Sequence, residues 1–276
     1  MSALALPLLF ATVLWFVATG VVLWLDRLPR TTWPTSIVAA TVASGFAMAG
    51  VIATAPLTGP AAAYAAFACA LVIWGWHELS FLMGFVTGPN RAACPDGARG
   101  WRRFRLAAAT LIHHEIAMAA TVVVLAAATW GQPNQTATLT FVLLFVMRLS
   151  AKLNVFAGVP HLSTDMMPDH MRYLASYFRV RPPGLTFALS TLGVIVLAAV
   201  LADLALRSHG GVATGYALAF ALVLLALVEH AFLVVPWRDS RLFRWALPKS
   251  SMTTSMTTIE TLRHSNTLAV LDAAGQ

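Results

Sequence analysis

Apolar residues run along this chain in long blocks, and the blocks are the right length to cross a membrane. A spanning helix needs roughly 20 mostly apolar residues. Seven blocks qualify, at about 3–25, 34–56, 61–86, 105–130, 136–158, 184–206 and 212–236. Between them lie helix breakers: Leu28-Pro29-Arg30, Pro56 to Pro60, Gly88-Pro89-Asn90, Gly131-Gln132-Pro133-Asn134, Arg181-Pro182-Pro183-Gly184 and His209-Gly210-Gly211. The pattern predicts an all-α polytopic membrane bundle of seven transmembrane helices. The connection at 57–60 is so short that spans two and three must form an antiparallel hairpin. The first block lacks a basic leading segment and exceeds a signal peptide's apolar core, so it reads as a retained span.

Composition agrees with this reading. The 276 residues are 59% hydrophobic and 11% charged, against about a quarter charged in soluble domains. Two cysteines, Cys69 and Cys94, exclude a disulfide scaffold and a cysteine-rich zinc site. The net charge of +7 raises nucleic acid as a partner, but the distribution of charge answers otherwise. Arg148 and Lys152 lie inside span five, and Arg207 closes span six. Every other Lys and Arg falls in the connections after spans one, three and five or in the C-terminal tail. The positive-inside rule then puts the N-terminus in the periplasm and the C-terminus in the cytoplasm. The basic loops meet anionic membrane lipids, with no nucleic acid as partner.

Residues 1–247 read as the membrane domain and 248–276, with its Ser/Thr/Met run, as a disordered cytoplasmic tail. The stretch 168–179 reads as an interfacial helix, with Met171, Leu174, Tyr177 and Phe178 at helical spacing. No internal repeat is visible, which argues against an inverted-repeat transporter.

Ionisable residues inside spans are costly, so each is a functional candidate. Span three carries His77 and Glu78, and span four carries His113, His114 and Glu115. Span five carries Arg148, Lys152 and Asn154, span seven Glu229 and His230, and His161 follows span five. At 1.5 Å rise per residue His77, Glu115, Arg148, Lys152 and Glu229 sit roughly 9–15 Å from the cytoplasmic face. Four helices thus place polar groups in one slab, and the outer half has no counterpart. Two readings compete. In one, the slab is a structural network, with Arg148 and Lys152 paired to Glu78, Glu115 and Glu229 and with Asn154 and His161 at its edge. In the other, His77, Glu78, His114, Glu115, Glu229 and His230 hold iron, as a di-iron centre, or zinc or manganese. The spacings of soluble di-iron bundles and of zincins are absent. A third use is tetrapyrrole ligation: His77, His113 or His230 could ligate bacteriochlorophyll or haem through one ring nitrogen.

Three segments carry a resemblance. Trp74-Gly75-Trp76-His77-Glu78-Leu79-Ser80-Phe81 leads to Thr87-Gly88-Pro89. Gly97-Ala98-Arg99-Gly100-Trp101-Arg102-Arg103-Phe104 leads to Ile112-His113-His114-Glu115. Met147-Arg148-Leu149-Ser150-Ala151-Lys152-Leu153-Asn154-Val155-Phe156 leads to Arg172-Tyr173-Leu174-Ala175-Ser176-Tyr177-Phe178. Together they resemble the PuhE family of purple phototrophic bacteria, encoded beside the reaction-centre H subunit. The resemblance implies a multi-pass protein of the inner, photosynthetic intracytoplasmic membrane, tied to photosynthetic complex assembly and bacteriochlorophyll production. It implies reaction-centre or light-harvesting subunits, or pigment-biosynthesis enzymes, as partners. It assigns no ligand set. A metal-dependent oxidoreductase acting on a tetrapyrrole or other lipophile, and a non-catalytic pigment-binding or docking subunit, stand as the alternatives.

Overall fold

A computed structural model describes residues 4–161 and 167–235, with Phe243 and Trp245. Among the described residues eight α-helices form: α1 (Ala5–Asp26), α2 (Trp33–Thr54), α3 (Pro60–Leu82), α4 (Gly100–Ala108), α5 (Ile112–Ala128), α6 (Thr136–Ala157), α7 (Leu185–Arg207) and α8 (Gly210–Phe232). No strand forms among them; Val159 and Val180 make one isolated parallel bridge. Six helices are each long and apolar enough to cross a membrane, and α4 with α5 makes a seventh span if the bent pair is counted as one. The chain is therefore a helical bundle compatible with a multi-pass membrane protein.

α3 and α8 form the centre. Half of the apolar window of α3 (50%) and 44% of that of α8 is buried, against 11–22% for α1, α2, α6 and α7. Small residues make this possible. Ala62, Ala63, Ala66 and Ala70 on α3 and Ala217, Ala219 and Ala221 on α8 are buried, and small side chains let helix backbones approach closely in lipid. Phe67, Phe141, Met118 and Leu218 fill the remaining space and are fully buried. Pro60 opens α3 after Gly59, which turns the chain back on α2 as the short connection predicted. Gly211 donates its N–H to Thr58 O at 2.9 Å. A Cβ at Gly211 would lie 2.5 Å from that oxygen, so α8 starts hard against the hairpin.

The fourth block is not the continuous helix expected over 105–130. It breaks at Ala109–Leu111, and α4 lies 66° from α5. A break frees backbone groups that must find partners in an apolar setting. The connection 84–91 supplies them. Asn90 donates its backbone N–H to Ala109 O and its side-chain amide to Leu106 O, both at 3.0 Å. Thr87 O accepts the N–H of His114 at 3.0 Å. Gly88 lies so close that a Cβ there would be 2.2 Å from Ala109 O.

The stretch predicted as an interfacial helix forms, but as a 3-10 helix, Asp169–Tyr177. Met171, Leu174 and Tyr177 recur every third residue, which is the period of a 3-10 turn. This buried face packs on protein, against Phe81, Leu82 and Leu111. The tail from 248 lies outside the described residues. Before it, Phe243 stacks on Phe16 of α1 with ring centroids 5.1 Å apart, and Trp245 occupies the notch left by Gly20. Phe243 and Trp245 thus both lie against α1.

Candidate functional site

The polar residues of α3, α5 and α6 meet near one end of the bundle, where the basic connections gather. Their meeting follows from helix geometry. His77 and Glu78 are consecutive, about 100° apart around α3, so one side chain turns to α5 and the other to α6. Arg148 and Lys152 are one turn apart on α6 and share a face.

Two ion pairs tie the three helices. Arg148 Nη2 donates to Glu78 Oε2 at 3.2 Å, joining α6 to α3. Lys152 Nζ donates to Glu115 Oε1 at 2.6 Å, joining α6 to α5. Glu115 therefore pairs with Lys152, and not with Arg148, which lies at the same depth in the sequence. Arg148 is the open edge of the layer, with 43% of its side chain accessible, against 21% for Lys152. The carboxylates of Glu78, Glu229 and Glu115 all bear electrostatically on its guanidinium.

Two buried imidazoles stand beside the pairs. His77 Nε2 lies 2.9 Å from Thr121 Oγ1 of α5. The Thr121 hydroxyl points to Ala117 O at 3.1 Å, so its proton is spent and His77 donates. That assignment leaves His77 Nδ1 as a lone pair, buried and without a partner. His114 is 0% exposed, and neither of its ring nitrogens has a partner. Its ring lies 6.4 Å from that of His77 and 4.6 Å from that of Phe81. Glu78 Oε1 and Glu115 Oε2 are also buried and unpartnered.

His230 does not join this group. Its Nδ1 donates to Ala226 O at 2.8 Å, and its ring faces Phe187 of α7 at 6.0 Å. Asn154 is buried on that side as well and donates to Ser190 Oγ of α7 at 2.8 Å. Their turn on the helix carries both residues away from α5, although their depth matches. His113 is exposed, and His161 ties the end of α6 to that of α8 by donating its backbone N–H to Leu233 O at 3.2 Å. Among the described residues no three His, Cys, Asp or Glu side chains come together as a metal-holding group.

Sequence reasoning did not single out Thr121, Phe81 or Arg103. Thr121 stands seven residues, two turns, beyond His114, so it had a helical signal. Arg103 had none, being one of three near-consecutive arginines. It is 5% exposed, donates to Phe156 O at 3.2 Å and to Tyr177 O, and lies 4.0 Å over the Phe156 ring. It clamps α4, the end of α6 and the 3-10 helix together beneath the layer.

No solved structure matches this chain. The sequence is 35% identical over 242 residues to an "Uncharacterized 30.4 kDa protein in puhA 5′ region" of Rhodobacter capsulatus, covering 85% of this chain and 87% of the relative. Residues 1–254 match the family described as "Protein of unknown function (DUF3623)". With the match covering nearly the whole bundle, the chain belongs to the DUF3623 family.

Proposed function

We propose that this protein is an integral membrane factor for photosynthetic complex assembly or bacteriochlorophyll production, acting through the His77/Glu78/His114/Glu115/Arg148/Lys152 layer. The observation that carries the reading is genetic position. The Rhodobacter capsulatus relative is named for the 5′ region of puhA, and the resemblance to the PuhE family points to the same neighbourhood. The site belongs to the reading because buried charges in a membrane bundle cost several kcal/mol each unless function or pairing retains them. In this reading the protein works in the photosynthetic inner membrane with its basic end in the cytoplasm. Its partners are reaction-centre or light-harvesting subunits or pigment-biosynthesis enzymes.

The test is replacement of the chromosomal gene by variants in a phototrophic host. Deletion should lower the yield of photosynthetic complexes or of bacteriochlorophyll. Re-expression of the wild type should restore it, and Glu78→Gln or Glu115→Gln at equal membrane abundance should not. Normal complex and pigment yields in the deletion strain would refute the reading.

One observation favours a second reading, a pigment-binding subunit. A carbonyl oxygen only accepts, so the Ala226 contact fixes the proton of His230 on Nδ1. Nε2 is then a buried lone pair without a partner, the state of a histidine that ligates a tetrapyrrole metal while its other nitrogen holds a carbonyl. Long-wavelength absorbance that copurifies with the wild type and is lost in His230→Ala would support it. Colourless protein purified from pigment-producing cells would sink it.

A further inference from the structure

The break in the fourth block turns α4 aside. α4 lies 66° from α5, so with α5 crossing the bilayer α4 runs closer to the membrane plane than to its normal. Its nine residues are held to the protein along one side. Arg103 turns inward and donates to Phe156 O and Tyr177 O. Successive residues turn by about 100° around the axis, and this leaves two neighbouring stripes beside Arg103. Trp101 and Phe104 form one, their rings stacked with centroids 5.0 Å apart. Arg102 and Arg105 form the other. Phe104 also meets Phe156 at the end of α6, at 5.6 Å. The aromatic stripe is therefore set beside the end of α6, and the arginine stripe faces away from it. Trp101 is 69% exposed, and Arg102 and Arg105 are exposed as well. Among the described residues no carboxylate pairs with Arg99, Arg102 or Arg105. Between residues 91 and 108 five arginines stand against one carboxylate, Asp96, so negative charge to match the stripe comes from outside this segment.

We propose that α4 is a binding site for an anionic phospholipid, with the lipid phosphate between Arg102 and Arg105 and the upper acyl carbons against Trp101 and Phe104. An aromatic stripe beside an arginine stripe is what a helix lying in the membrane interface presents. Indole rings favour the headgroup level, and a guanidinium holds a phosphate through two parallel N–H bonds. An acidic protein surface would match the arginines alone. The bilayer matches both stripes, and it meets the bundle at this level. The other arginines of this end add a general attraction for anionic lipid, whereas α4 supplies a place for one headgroup and its chains. The site is separate from the polar layer and does not depend on the assembly role.

Native mass spectrometry of the full-length protein in detergent, with phosphatidylglycerol or phosphatidylcholine added, tests it. The wild type should retain phosphatidylglycerol in preference to phosphatidylcholine. Arg102→Gln with Arg105→Gln should weaken phosphatidylglycerol binding by about 30-fold, as expected for two arginines at an anionic surface, and leave phosphatidylcholine unchanged. Arg30→Gln with Arg172→Gln removes the same charge from exposed positions outside α4 and should leave phosphatidylglycerol binding near the wild-type value. Trp101→Ala should weaken both lipids. Arg102→Lys with Arg105→Lys keeps the charge and should bind phosphatidylglycerol more tightly than the glutamine pair does. Excess glycerol phosphate, a headgroup without chains, should not displace the lipid. No preference for phosphatidylglycerol in the wild type overturns the proposal without any variant. Equal loss in the Arg30/Arg172 pair overturns it too, since the attraction would then be diffuse. So does a lysine pair that binds no better than the glutamine pair, because charge would not be what holds the lipid. Wild-type binding by Trp101→Ala would remove the acyl part of the site, and displacement by glycerol phosphate would make soluble phosphate the occupant; either result ends the proposal.

Discussion

Glu115 and Lys152 form the tighter of the two ion pairs, at 2.6 Å with both side chains mostly buried. Removing one partner of a buried pair leaves the other charge uncompensated, at a cost of about 3–5 kcal/mol. Glu115→Gln should therefore lower thermal stability in detergent, and Lys152→Gln added to it should recover much of the loss. Arg148→Gln should not, because its partner is Glu78. A double-mutant cycle on unfolding temperature measures this. Equal rescue by Arg148→Gln and Lys152→Gln would show that charge count alone, and not the pairing seen here, governs stability. That Glu78, Glu115, Arg148 and Lys152 share one level along α3, α5 and α6 was legible from the sequence because helical rise is nearly constant. Pairing was not. Successive residues turn by about 100°, so an uncertainty of one residue in how α5 is rotated exchanges Lys152 for Arg148. The same angular uncertainty grouped His230 with His77, and the structure turns it to Phe187 instead.

At the scale of the element, the informative feature is the break in the fourth apolar block. Hydropathy could not reveal it, because Ala107 to Leu111 is as apolar as any span. The cause lies elsewhere in the chain, in the Gly88-Pro89-Asn90 turn that satisfies the freed backbone. Read from the sequence, that turn was only a separator. Gly88→Ala should force Ala109 away from it and cost about 1–3 kcal/mol, the usual penalty of overpacking. Gly45→Ala, with open space around the new methyl, is the control and should be neutral or slightly stabilising. Thermal unfolding of the two variants decides. Equal midpoints would mean that the break does not need the close approach at Gly88. Arg103→Lys tests the clamp under α4 in the same assay. Lysine has no planar fork to hold two carbonyls at once, so about 1.5–3 kcal/mol should be lost. A wild-type midpoint for Arg103→Lys would show that one ammonium contact suffices.

For the whole molecule, the structure sorts the connections into two ends, and the distribution of charge predicts which end faces the cytoplasm. Thr58, Asn134 and Gly211 belong to one end, since Gly211 N–H donates to Thr58 O and Asn134 N–H donates to Ala55 O at 3.0 Å. Cys94 and Ser176 belong to the other, joined at 2.8 Å between the Cys94 N–H and Ser176 Oγ. This sorting was legible from the alternation of apolar blocks, and contacts across connections make it independent of the bend in the fourth block. Geometry alone leaves the bundle free to insert either way up. The asymmetry of Lys and Arg in short loops breaks that tie. The Cys94 end carries Arg91, Arg99, Arg102, Arg105, Arg172, Arg179 and Arg181, whereas among the described residues the Thr58 end has only Arg207, which is itself paired to Asp203 at 2.7 Å. A reporter active only in the periplasm should therefore be active when fused after residue 58 or 134 and silent after 95 or 170. Activity after 95 or 170 would invert the molecule, and the polar layer would then face the periplasm. Split results within one end would contradict the contacts that join it. The expected pattern sets the layer on the cytoplasmic side, within reach of soluble enzymes and of cytoplasmic water.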